Sequence, residues 1–329
     1  MNVPPTSGIR VPAAALHQLV TALFQRAGTG EEDARLMADL LVATDLRGVF
    51  SHGTQQTRGY VQMILDGRVN PRPNISVARQ TTTTRVYDGD GGMGHWPCYQ
   101  AAQWAAATAN EHGTAAVTTR NHFHFGGAGK YTRMAGDQGC IGIALSSHRY
   151  DLPADAMVKR VGGASPFSIA IPAGEQPPIV IDMATSFLPW DEKFFEQMPA
   201  AYFKELGLAA VMRALGGVMA GIYLEEFIPP RSQWESNQGA FIAAFKVDCF
   251  MDLDEFTTAI DAHIEAARNM QPFPGTDKAE LPGGLEWQRE QDYGRDGIPV
   301  GDRHRESLEE IAAQLEVETP FAQFEHTRF

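Results

Sequence analysis

The 329-residue chain has only three cysteines, Cys98, Cys140 and Cys249. All three fall in segments that read as buried, and none sits at a metal-ligand spacing. A disulfide framework is therefore excluded, and the expected compartment is the reducing cytoplasm. Positive charge is short as well: 27 Lys and Arg against 40 Asp and Glu leave a net charge of −13. Such a field repels phosphate backbones, so no nucleic-acid partner is expected. No apolar run reaches the length of a membrane span, and residues 1–12 lack the basic and apolar regions of a signal peptide, so no membrane partner is expected either. Two nucleotide-binding signatures are missing too. No G-x-G-x-x-G follows the first strand, which argues against a standard dinucleotide fold. The glycines from Gly126 onward fail as a P-loop, because Tyr131 rather than Ser or Thr follows Lys130.

What is present is a chain 43% hydrophobic, enough for a sizeable core in roughly two domains. Residues 13–27 carry Leu16, Val20, Leu23 and Phe24 at helical spacing. Thr29-Gly-Glu-Glu32 reads as a capping box opening a second helix over 33–44. A polar turn, 45–53, leads to a third helix with Tyr60, Val61, Ile64 and Leu65 on one side. Residues 67–74, with two prolines, read as a linker. The middle alternates: strands at 81–87, 114–119, 140–146, 166–171, 178–182 and 239–247, a Gly turn cluster at 88–94, and helices at 98–109, 130–137 and 200–224. Beyond it come a helix at 254–270, a Pro/Gly-rich loop at 271–286 and a helix at 303–315. This pattern predicts an α/β domain, 75–251, inserted into a helical domain built from 1–74 and 252–329.

The organising stretch is Thr118-Thr-Arg-Asn-His-Phe-His-Phe-Gly-Gly-Ala-Gly129. A strand runs into a Gly-rich turn and then a helix N-terminus, where the backbone can approach a ligand and offer free N–H groups. His122 and His124 alternate, so on an extended chain they share a face. Histidine moves its proton readily near neutral pH, which suits acid–base chemistry. A metal site finds no carboxylate or cysteine at ligand spacing to join the pair. A hydrogen-bonded structural histidine remains the plain alternative. Ser51 beside His52 would suit a hydrolase only weakly, since chain neighbours seldom point at each other and no nucleophile elbow is present.

Six motifs occur in order: Asp45-Leu-Arg-Gly-Val-Phe-Ser-His-Gly53, Arg120-Asn-His-Phe-His-Phe-Gly126, Gly142-Ile-Ala-Leu-Ser-Ser147, Asp182-Met-Ala-Thr-Ser186, Lys204-Glu-Leu-Gly-Leu-Ala209 and Leu281-Pro-Gly-Gly284 with the later Gly297-Ile-Pro299. Together they resemble the type 2 malate/L-lactate dehydrogenase family, whose members include sulfolactate and ureidoglycolate dehydrogenases, diketogulonate reductase and cyclic imine carboxylate reductases. The resemblance implies a non-Rossmann, mixed-sheet fold of the sulfolactate dehydrogenase type, NAD or NADP as cofactor, and a homodimer. It implies acid–base roles for His52 and His124. It assigns cofactor contacts to Ser147, His148, Asp182, Met183, Ala184, Lys204 and Gly283, and places Ser51, Gln56 and Tyr60 at the substrate. The implied reaction is hydride transfer between nicotinamide and a small 2-oxo or 2-hydroxy acid, or a cyclic imine carboxylate. The alternative is a catalytically altered paralogue that keeps the fold. The chain departs from the family in having Gln56 where an arginine is usual, Gly163-Ala-Ser-Pro166 for Gly-Thr-Asn-Pro, Gly284 for glutamate, and a short 182–204 interval. Arg58 would face another side of its helix than Gln56.

Overall fold

The computed structural model describes residues 3–163 and 165–329. Ala164, inside the Gly163-Ala-Ser-Pro166 segment singled out above, lies outside the described residues. In chain order the elements are β1 (Gly8–Val11), α1 (Ala13–Arg26), α2 (Glu31–Leu46), α3 (Thr57–Leu65), β2 (Ser76–Gln80), β3 (Thr84–Gly92), α4 (His95–His112) and β4 (Thr114–His122). Then follow α5 (Gly129–Gly136), β5 (Cys140–His148), β6 (Pro166–Ile171), β7 (Ile179–Ala184), α6 (Glu192–Gln197), α7 (Pro199–Arg213) and β8 (Gln238–Lys246). The chain closes with α8 (Leu253–Arg268), α9 (Gly284–Asp296), β9 (Ile298–Gly301) and α10 (Asp302–Gln314).

Two compact units emerge, Met1–Pro73 with Gly283–Phe329, and Asn74–Pro282. The first is helical, with α1, α2, α3, α9 and α10 and a small antiparallel sheet of β1 and β9. The second holds a seven-stranded sheet in the order β2-β3-β4-β8-β5-β6-β7. Among the described residues only β3 and β4 pair in parallel; every other pair of this sheet is antiparallel. This is the mixed, non-Rossmann α/β sheet expected from the sequence.

The expected late boundary at residue 251 falls instead at 282. Helix α8 stays with the sheet because Asp261 accepts hydrogen bonds from the backbone N–H groups of Gly174, Glu175 and Gln176 in the β6–β7 turn. The core of this unit is built on small residues. Ala101, Ala102, Ala105, Ala106 and Ala109 of α4 pack on Val117, Ile242 and Ala244 of the sheet. Short side chains let helix and sheet approach closely, and each methyl removed from water contributes about 0.8 kcal/mol.

Several local expectations need correction. The N-cap of α2 is Gly30, not Thr29, so the capping box is out of register by one residue. Helix α9 takes in the last three residues of the expected 271–286 loop and runs through a stretch for which no element is expected; its sequence is mostly polar, and it is held by the Arg47–Glu290 ion pair at 2.8 Å and the Phe50–Tyr293 ring contact. Strand β2, exposed along its whole length, shows no alternation to reveal it. The 88–94 turn cluster belongs mostly to β3. The single helix expected over 200–224 stops at Arg213 and continues as a π-helical turn, Ala214–Met219. Gly216 makes this possible, since a Cβ there would meet Leu145 and Ser146 at 3.0–3.1 Å. Cys249, expected to be buried, is exposed. Among the described residues no helix is long and apolar enough to cross a membrane.

Candidate active site

In the sheet unit, β4 delivers the organising stretch. Its pairing with β8 shifts register between Thr119 and His122, a β-bulge that re-aims the strand end. Asn121 takes a φ of 53° at this bulge. Its amide donates to Asp88 Oδ1 at 2.8 Å, and its Oδ1 accepts from Ser236 Oγ at 2.6 Å. A short polar side chain tolerates this left-handed backbone when so anchored.

His122 and His124 do not share an environment, contrary to their alternation. His122 is fully buried. Its Nδ1 donates to the Phe123 carbonyl at 2.7 Å, and its Nε2 accepts from Thr119 Oγ1 at 2.8 Å. Thr119 in turn lies 3.3 Å from Cys98 Sγ. Burial pushes the His122 pKa down to about 4, against the opposing pull of the Phe123 carbonyl and Asp88. Burial likewise pushes the Cys98 thiol up to about 12. Both groups are therefore neutral near pH 7, and His122 is a structural histidine.

His124 is half-buried just beyond the strand. Its ring meets that of buried His95 edge-on, with centroids 6.4 Å apart. The turn that follows has no room for side chains. At Gly126, with φ 78°, a Cβ would stand 2.6 Å from His95 Nε2 and 2.7 Å from Lys130 Nζ. His95 and buried Lys130 thus wall the turn from inside. The stacked Phe125 and Tyr131 rings, 5.3 Å apart, fasten it to α5. At the start of α5 the Gly129 N–H donates to Asp182 Oδ2 at 2.7 Å. The carboxylate comes from the edge strand β7 and sits at the positive end of a helix. His124 and Asp182 therefore border one glycine turn. Sequence reasoning passed over His95 and Lys130; His95, directly after the Gly89–Gly94 cluster, was the available signal.

The other proposed cofactor residues of this unit lie along neighbouring edges. Ser147 is buried, accepting from Ser165 Oγ at 3.3 Å. The His148 ring lies 4.9 Å from that of Tyr150, and burial and then the Arg213 charge lower its pKa. Met183 and Ala184 end β7 beside Asp182. Lys204 is exposed on α7. Its neighbour Glu205 is buried, bound to Lys159 Nζ at 2.8 Å, on the wall of a cavity of about 200 Å³ lined by Trp190, Phe195, Tyr202 and Phe203. Gly283 belongs to the helical unit, where it caps α9 with φ 100°.

In the helical unit, two 3-10 turns, Phe50–His52 and Thr54–Gln56, carry Ser51, His52 and Gln56. They are pinned from below by Asp45, which is fully buried. Asp45 Oδ2 accepts from both the backbone N–H and the hydroxyl of Thr54. Because that hydroxyl donates to the carboxylate, His304 Nε2 donates to Thr54 Oγ1 at 3.0 Å. Burial pushes the His304 pKa down to about 4, so it is neutral in the folded protein. Gly53 is obligatory here: a Cβ would stand 1.8 Å from Asp45 Oδ1. Ser51 Oγ lies 2.9 Å from His52 Nδ1, so these chain neighbours do meet, against expectation. The 3-10 turn brings them together, yet no nucleophile elbow accompanies them. Gln56 Nε2 donates to the Ser51 carbonyl at 2.7 Å. Arg58 pairs with Glu310 and does not stand in for the missing arginine. Tyr60 is buried, only 3% exposed, with its hydroxyl pKa raised by burial; it lies in the core rather than beside Gln56 at the surface.

Comparisons with known proteins agree with this architecture. The sequence profile described as Malate/L-lactate dehydrogenase matches residues 11–193 and 191–309. The two segments meet inside the short 182–204 interval. The malate dehydrogenase of Pyrococcus horikoshii is 30% identical over 348 residues, spanning 94% of this chain and 96% of the relative. The L-sulfolactate dehydrogenase of Methanocaldococcus jannaschii is 26% identical, spanning 91% and 95%. The solved structure of the Pyrococcus horikoshii OT3 malate dehydrogenase superposes with a TM-score of 0.85 at 29% identity, over 97% of this chain and 99% of that one. The chain belongs to the malate/L-lactate dehydrogenase family and is a dehydrogenase.

Proposed function

We propose that this dehydrogenase transfers hydride between NAD or NADP and a small 2-oxo or 2-hydroxy acid, or a cyclic imine carboxylate. The observation that carries this reading is the half-buried His124 at the glycine turn bordered by Asp182. The residues present fit a dinucleotide. Asp182, exposed at the end of β7, suits a ribose hydroxyl, and Lys204 is an exposed cation in an acidic protein. When bound, the nicotinamide supplies the hydride acceptor or donor.

The protein's own part is protonic and electrostatic. As charge develops on the substrate oxygen or nitrogen, a proton must arrive, and in this reading His124 delivers it. His95 and Lys130 hold the turn from which His124 projects. Ser51, His52 and Gln56 serve substrate recognition and acid–base chemistry, with the Asp45–Thr54–His304 network fixing their loop. Gln56 offers neutral donors where the family has a cation, so a simple carboxylate is gripped weakly. Pyruvate and oxaloacetate are then poor substrates, and the preferred one is larger or less charged at this point.

We further propose a homodimer. Phe187, Trp190, Phe194, Met198 and Phe203 are 46–61% exposed, an apolar surface that a second copy would cover. Sedimentation should give a dimer at micromolar concentration; a monomer refutes it. For the reaction, a panel of 2-oxo acids and cyclic imines is assayed by absorbance of the reduced cofactor. Turnover with at least one member supports the reading. Failure of NADH and NADPH alike to bind, seen as no rise in melting temperature, defeats it.

A further inference from the structure

Between Asp182 on β7 and Lys204 on α7 the chain is strapped down by a buried ion pair. Glu205 is only 4% exposed. Its Oε1 accepts from Lys159 Nζ at 2.8 Å, and its Oε2 accepts from the Leu188 backbone N–H at 3.0 Å. Lys159 sits in the 3-10 turn Val158–Gly162, and the same Nζ donates to the Leu188 carbonyl at 3.0 Å. One salt-bridged pair therefore takes both backbone groups of Leu188. The next residue is tied to the same helix, for Tyr202 Oη donates to the Pro189 carbonyl at 2.8 Å. The Lys159 ammonium also lies 5.1 Å over the Tyr202 ring.

Packing alone does not account for this device. The strap passes a cavity of about 200 Å³ lined by Trp190, Phe195, Tyr202 and Phe203, so part of it lacks close neighbours. A buried ion pair is also a poor source of stability, since apolar residues of similar volume commonly do as well or better. Its best-attested use is to fix register. Here the register bears on Lys204. Consecutive residues of an α-helix point about 100° apart, so anchoring Glu205 inward fixes the direction of Lys204, which is exposed. The strap that Glu205 holds is also the stretch of chain that leaves Asp182. We propose that Lys159 and Glu205 are positioning residues for the nucleotide cofactor, fixing Lys204 on α7 relative to Asp182 on β7. This rests on the nicotinamide-dependent reading above, with Lys204 as a cofactor contact.

The test is a double-mutant cycle on nucleotide affinity, with melting temperature measured alongside. NADH and NADPH are titrated by fluorescence of the reduced nicotinamide. The clamp is removed by Lys159→Met with Glu205→Leu, an apolar pair of similar volume that keeps the fold. Its Kd for the nucleotide that the wild-type protein binds should rise roughly 3- to 30-fold, with the melting temperature retained. Placed in a Lys204→Ala background, the same pair should change Kd less than about twofold, because the residue it positions is already gone. Lys159→Arg, which keeps charge and donors, should restore most of the affinity. Should the apolar pair not fold, Glu205→Gln keeps the shape, removes the charge, and enters the same cycle with the same expectations. Wild-type affinity in a folded clamp variant overturns the proposal, as does an equal loss with and without Lys204, and both leave the dehydrogenase reading standing. A wild-type protein that binds neither nucleotide defeats that reading, and the proposal with it.

Discussion

The two compact units each present a histidine on a tight glycine-containing turn, and they hold it by different means. In the helical unit the turn bearing His52 rests on a buried polar network, Asp45, Thr54 and His304, with Gly53 forced by the Asp45 carboxylate. In the sheet unit the turn bearing His124 rests on packing: a bulged strand, the Phe125–Tyr131 stack, and a helix whose first N–H is taken by Asp182. Polar networks are strong when complete and costly when one member is lost. Packed turns yield more gradually. Damage to the first support should therefore act on stability and His52 together, while the second should tolerate polar change around it.

The largest effect expected from breaking this contrast is on turnover. His52→Asn should lower kcat by roughly 10²–10⁴-fold, the usual worth of general acid–base catalysis, with steady-state kinetics as the check. Unchanged kcat would leave the helical unit with a binding role only.

Next in size is acid sensitivity. His122 and His304, one in each unit, have folded pKa values near 4, below the ordinary 6.5. Between those values the unfolded chain binds more protons, so stability is fully present above about pH 6.5 and falls as pH drops toward 4. Each histidine accounts for on the order of 2–3 kcal/mol of that loss. Denaturant titrations from pH 7 to 4 should show the slope, and His304→Gln or His122→Gln should flatten it.

Thr54→Val removes the hydroxyl between Asp45 and His304. A loss of about 1–3 kcal/mol is expected, because buried His304 loses its acceptor and Asp45 one of its donors. Thermal unfolding measures it, and no change would mean the network is not what holds the loop.

The smallest effect concerns Gln56. Gln56→Arg should improve kcat/KM on a simple 2-oxo acid about tenfold, while freeing the Ser51 carbonyl costs under about 1.5 kcal/mol. Efficient reduction of pyruvate or oxaloacetate by the wild-type protein, above about 10⁴ M⁻¹s⁻¹, would refute the role given to this residue.

Much of this contrast was legible in the sequence on one side only. Strand, glycine turn and helix around His124 follow from local patterns: β-branched residues, a Gly run, then helical spacing. Strand β6 fell where expected for the same reason. The helical unit hid its logic, because Asp45, Thr54 and His304 meet across 250 residues and local periodicity carries no trace of such a contact. The bulge at Asn121 was equally invisible, so the burial of His122 could not be told from the exposure of His124. Helix α9 escaped notice because its stripe of apolar residues is thin and its hold is partly ionic.

The most direct test compares two histidines two residues apart. His122→Asn and His124→Asn are prepared side by side, and kcat, nucleotide Kd and melting temperature are measured on each. For His124→Asn the expected result is a 10²–10⁴-fold loss of kcat with nucleotide affinity and melting temperature retained. For His122→Asn it is a lowered melting temperature with near-normal turnover by the folded protein. Near-normal kcat in His124→Asn, with turnover lost in a folded His122→Asn, would contradict the assignment of the reacting proton to His124.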